Sequence, residues 1–133
     1  MNYIYLYILT FLVFLLIDFI WLSFVAKNFY FKKIGHLLSE KPNLIPAFIF
    51  YLIFVVGILV FVILPGYESQ SISKVLVLGS LFGVVTYATY DLTNLSTLRR
   101  WPLSVTVIDV LWGAFLSCVT GLSGYFIAEF LNI

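Results

Sequence analysis

Residues 45–64 read IPAFIFYLIFVVGILVFVIL, twenty consecutive positions without a charged side chain. The hydrocarbon core of a bilayer is about 30 Å thick and takes roughly 20 apolar residues of α-helix to cross. This stretch therefore predicts a transmembrane helix. Three further stretches have the same length and character: about 3–25, broken only by Asp18; about 74–95, ending in a polar cluster around Asp91; and about 104–130, with Asp109 near its start. Four spans leave short connections only, so the expected architecture is all-α: a four-helix transmembrane bundle forming one integral membrane domain over residues 1–133. No alternating ten-residue segments of the kind a membrane β-barrel needs are present.

Composition supports this reading. Of 133 residues, 63% are hydrophobic and only 10% charged, whereas a soluble domain carries about 25% charge. Thirteen charged side chains, seven basic and six acidic, do not cover a globule of this apolarity in water. The net charge of +1 supplies no basic field for a nucleic acid. The partner implied by composition is the lipid bilayer. The single cysteine, Cys118, excludes an internal disulfide and a cysteine zinc cluster. No other metal site or cofactor is indicated. The first span lacks a basic start and a small-residue cleavage site, so it is expected to stay as a helix rather than be removed as a signal peptide.

Short-loop Lys and Arg residues orient a membrane protein. The connection after the first span carries Lys27, Lys32, Lys33 and Lys41, and that after the third carries Arg99 and Arg100; the opposite side holds only Lys74. Six against one puts both basic loops in the cytoplasm and both termini outside, in a bacterial inner membrane. Pro42 and Pro46 bracket the start of the second helix, Pro65-Gly66 is expected to end it, and Pro102 precedes the fourth. Between Ala26 and Lys41, Tyr30 or Phe31, Ile34, Leu37 and Leu38 recur at helical spacing beside Lys33, His36 and Glu40. That pattern is a short amphipathic helix, either lying along the interface or continuing the first span.

Half of the six acids fall inside spans, where an ionisable group is costly and faces other helices or water. By position Asp18, Asp91 and Asp109 come from three different helices to a similar depth in the cytoplasmic third. Ile17-Asp18-Phe19-Ile20-Trp21 is echoed by Ile108-Asp109-Val110-Leu111-Trp112, and in each the Asp and Trp share a helix face. Thr93, Asn94 and Thr97 add neutral hydrogen-bonding groups, and Arg99 and Arg100 follow them directly. Each of these residues taken alone has a structural use: a helix-terminus charge, an ion pair, an interfacial anchor. Together they predict a cytoplasm-facing, carboxylate-rich cavity walled by the first, third and fourth helices, with the apolar second helix as scaffold. In that cavity Asp18, Asp91 and Asp109 handle protons or a ligand, Trp21 and Trp112 contribute indole donors, and the Arg pair holds an anionic group or lipid headgroup at the mouth. His36, the only histidine, is a further candidate from the surface. Gly79 and Gly83, and Gly113, Ser117 and Gly121, repeat every four residues, a spacing that either packs the third and fourth helices closely or forms a homodimer seam.

The stretch from Asp18 to Trp21, then Lys27 to Leu38, the block Tyr90 to Leu98 with Arg99-Arg100-Trp101-Pro102, and Thr106 to Gly113 together resemble the bacterial family of small predicted membrane proteins designated DUF2177, a domain of unknown function. The resemblance covers nearly the whole chain. It implies four helices and no particular reaction. Three functional classes follow from the residues: a carrier or small-molecule-binding protein, a lipid-associated membrane enzyme using an Asp or His36 as acid or base, and an accessory subunit of a membrane complex.

Overall fold

A computed structural model describes residues 2–133, and among them there are helices and connecting turns but no strand. Four long helices follow one another: α1 (Asn2–Leu37), α2 (Leu44–Glu68), α3 (Ile72–Thr97) and α4 (Leu103–Phe130), each long and apolar enough to cross a membrane. Their outer surfaces are apolar, with Leu16, Phe19, Ile53, Val77, Leu111 and Phe130 all more than half exposed. In water that surface would be a severe liability; in a bilayer it is the lipid-facing coat. The protein is a multi-pass membrane protein.

The amphipathic stretch continues α1 instead of forming a separate helix. Leu22–Ala26 is a π-helical turn, after which α-helix resumes at Lys27 and closes in a 3₁₀ turn at Gly35–Leu37. The result is about 54 Å long at 1.5 Å per residue, well beyond the bilayer core. A π-turn inserts one extra residue, which holds positions spaced by four in line. Asp18, Leu22, Ala26, Tyr30 and Ile34 all face one cavity as a consequence; in an unbroken α-helix, four-residue steps drift by about 40° each.

The second helix likewise contains a π-turn, Leu59–Ile63, and runs through Pro65 to Glu68. The expected stop at Pro65-Gly66 is therefore displaced by one turn. A proline ring clashes with the carbonyl four residues earlier and lacks the N–H of a regular turn; the wide turn just before it accommodates both. Asn43 and Ser71 start α2 and α3, their side chains accepting from the backbone N–H of Ile45 and Lys74 at 3.1 Å.

The closest helix pair is α3 with α4. Gly79 lies against the backbone of Ser117 and Cys118, and Gly83 against that of Gly113 and Ala114; Gly113 in turn receives the ring of Tyr87. Gly121 and Gly124 face Val62 and Ile63 of α2 instead. The small residues thus serve contacts within the chain. The dry core, built around Leu6, Phe14, Ile58, Val62, Leu116 and Tyr125, occupies the half of the bundle next to the termini. There Asn2 donates to the Leu131 carbonyl and the Tyr67 hydroxyl to that of Ile133. At the other end Ile34 of α1 packs on Trp101 and Val105, so both basic connections lie together.

Candidate functional site

Between the dry core and the basic end the helices separate around a cavity of about 730 Å³. All three aspartates and all three tryptophans of the chain line it. Asp18 comes from the middle of α1. Asp91 and Asp109 each sit six residues from the basic end of their helix, Asp91 before the last residue of α3 and Asp109 after the first of α4. Asp18 and Asp91 are buried, and Asp109 is partly so.

The acids differ in how they are held. Asp18 accepts hydrogen bonds from the Tyr51 hydroxyl at 2.5 Å and from the Trp112 indole at 3.4 Å. Asp109 accepts from the Tyr30 hydroxyl at 2.8 Å. Asp91 is 0% exposed, and neither of its carboxyl oxygens meets a donor; the carboxyl of Asp109 lies beside it. The backbone carbonyl of Asp91 is satisfied by Thr106, whose hydroxyl also accepts from the Trp101 indole at 3.0 Å. Above the acids Trp21 and Trp112 stack face to face, centroids 4.1 Å apart and planes 8° from parallel. Such stacking contributes about 0.5–1.5 kcal/mol beyond area burial. The two echoed Asp-Trp motifs thus meet at the centre of the cavity.

Five of the residues singled out from the sequence, Asp18, Trp21, Asp91, Asp109 and Trp112, converge here. Five others do not. Thr93 and Thr97 are exposed and bond back to their own helix, at the carbonyls of Thr89 and Thr93. At 100° per residue, Thr93 stands about 200° around α3 from Asp91, on the opposite face. Asn94, though partly buried, is outside the lining. Arg99 and Arg100 are exposed in the α3–α4 turn, where Arg100 adopts a left-handed conformation with φ 57°. Neither reaches the carboxyl of Asp91. His36 is exposed on the last turn of α1 and is likewise outside the lining.

The second helix is more than scaffold. Ala47, Phe50 and Tyr51 line the cavity, and Tyr51 carries the only polar side-chain atom between residues 45 and 64. That lone phenol in an otherwise hydrocarbon span was the available signal. Tyr30 and Trp101 were also legible only in part: Tyr30 needs the π-turn to aim it, and Trp101, placed like an interfacial anchor, folds inward and is 7% exposed. Replacing Tyr51 with phenylalanine leaves one oxygen of a buried carboxyl without its donor. A loss of about 1–3 kcal/mol is expected, measured as a lower thermal unfolding midpoint in detergent; an unchanged midpoint would detach α2 from the site.

The family model for predicted membrane proteins, DUF2177, matches residues 3–126. The chain belongs to the DUF2177 family. No curated protein and no solved structure matches it. The matched segment of this DUF2177 member takes in every residue of the cavity, from Asp18 to Trp112. Among the described residues no three His, Cys, Asp or Glu side chains converge as metal ligands do.

Proposed function

We propose that this DUF2177 protein is a small-molecule-binding membrane protein of the carrier type, one domain in a bacterial inner membrane with its basic end in the cytoplasm. The observation that carries this reading is Asp91: fully buried, part of a cavity wall, and without a donor on either oxygen. A carboxyl used only to fix a fold is paired, because leaving it unpaired in a dry site costs several kcal/mol. A cavity of about 730 Å³ falls within the range of about 300–1,000 Å³ that encloses drug-sized ligands.

Two carboxyl groups side by side hold one proton between them more readily than two negative charges. Protonation and ligand binding at Asp91 and Asp109 then compete for the same oxygens, the minimum requirement of a proton-coupled exchanger. The six-to-one excess of basic residues at the cavity end supports the inward orientation. A lipid-headgroup reaction draws less support, since Arg99 and Arg100 stand exposed and outside the cavity.

Native mass spectrometry of the protein extracted with its surrounding lipid tests the reading. The wild type is expected to carry a bound small molecule that an Ala47→Trp variant, its cavity filled from α2, releases. Identical adduct masses on folded wild type and variant would overturn it.

A further inference from the structure

The cavity pairs negative charge with aromatic surface to an unusual degree. Its three carboxyls meet rings from all four helices, including Trp21 and Tyr30 of α1, Phe50 of α2, Tyr90 of α3 and Trp112 of α4. Carboxyls alone suit a metal ion, but these do not converge as metal ligands. Rings alone suit any apolar body. The combination suits a cation whose charge is spread over, or shielded by, carbon: ring faces attract it through their quadrupoles, and the attraction grows when water is excluded. We infer that the ligand is an organic cation with an apolar body, recognised by the carboxyls of Asp18 and Asp91 and the aromatic wall. This inference rests on the binding reading above and names its substrate class.

A second observation points the same way. A smaller cavity of about 390 Å³ lies on the lipid side of α1 and α2, lined by Leu15, Leu16, Phe19 and three residues shared with the first: Asp18, Leu22 and Tyr51. Leu16 and Phe19, 62% and 67% exposed, face the acyl chains. The same carboxyl is therefore approached from the bilayer as well as from the basic end. A lateral path of that kind serves a solute that dissolves in lipid, as an apolar cation does and a hydrated metal ion does not. Lys27, the one basic residue of the wall, is exposed at its outer rim. It stands nine residues beyond Asp18 along α1, or about 13 Å.

Tetraphenylphosphonium and tetraphenylborate, nearly identical in size and shape and opposite in charge, make the test. Because every tryptophan lines the cavity, intrinsic fluorescence of the detergent-solubilised protein reports occupancy, and only a saturable change is counted. Tetraphenylphosphonium is expected to saturate the signal and tetraphenylborate to leave it unchanged. Asp18→Asn and Tyr90→Leu are each expected to weaken phosphonium binding by about tenfold or more, with Glu129→Gln, on the exposed far end, as the unaffected control. Tyr90 is 56% exposed, so its variant keeps the fold even where Asp18→Asn does not. Equal saturable binding of both ions would overturn the cationic class while leaving a ligand cavity standing. Saturation by neither ion would also overturn it, and the native adduct measurement then decides separately whether the cavity binds anything. Phosphonium binding unchanged in both variants would remove the carboxyls and rings from recognition.

Discussion

Replacing Gly83 with leucine is expected to abolish the folded bundle. A Cβ at this position collides with the carbonyl of Gly113 and the Cα of Ala114. These are backbone atoms of the opposing helix, with no flexible end to swing aside. In a membrane the α3–α4 pair is held by close van der Waals approach, since lipid is as apolar as the helix surfaces and supplies no hydrophobic drive. A leucine keeps the helices apart along the whole seam, Gly79 against Cys118 included. Overpacking of a yielding core costs about 1–3 kcal/mol, and this seam yields less. The measurement is size-exclusion chromatography with thermal unfolding in detergent: the variant should lose its monodisperse peak or unfold far below the wild type. Gly35→Ala is the matched control, because nothing lies within 4 Å of a Cβ there and its φ of −54° is ordinary helix. A Gly83→Leu protein that melts with the control would show that the two helices do not meet as described.

Asp91→Asn should have the opposite effect on stability and a larger one on function. The buried carboxyl has no donor and faces the carboxyl of Asp109. An asparagine amide keeps the shape and turns a meeting of two acceptors into a donor and an acceptor. Relief of an unsatisfied buried group is worth about 1–3 kcal/mol, so the unfolding midpoint should rise by several degrees. The same variant should lose ligand binding and any proton-coupled transport, the usual exchange of function for stability at a working site. A midpoint that falls by a similar amount would mean that Asp91 is a structural acid with a partner, and the functional reading would go with it.

The four spans were legible because hydrocarbon is written directly into composition: twenty uncharged residues leave few alternatives. The convergence of Asp18, Asp91 and Asp109 was legible too, since an acid within a span must face inward and helix length fixes its depth. Direction around the helix axis was harder to read. Thr93 and Thr97 follow Asp91 closely in the chain yet stand on the far side of α3, and the run of polar residues masked that turn. Tyr51 was hidden by its surroundings, one hydroxyl in a span whose apolarity suggested no role beyond scaffolding. The extension of α1 could be seen as a helix but not aimed, because the π-turn that sets its phase has no signature in Leu22–Ala26. The Asp-Trp echo looked too short to signify, and its two copies proved to be stacked partners.

That same π-turn makes the length of α1 a matter of azimuth. One residue removed from Leu22–Ala26 would barely shorten the helix, but it would swing everything beyond by about 100°. Tyr30 would leave Asp109, Ile34 would leave Trp101, and the roof of the cavity would face lipid. Among sequences of this kind, a single-residue gap at that point separates proteins with differently walled chambers, however alike the remaining residues are.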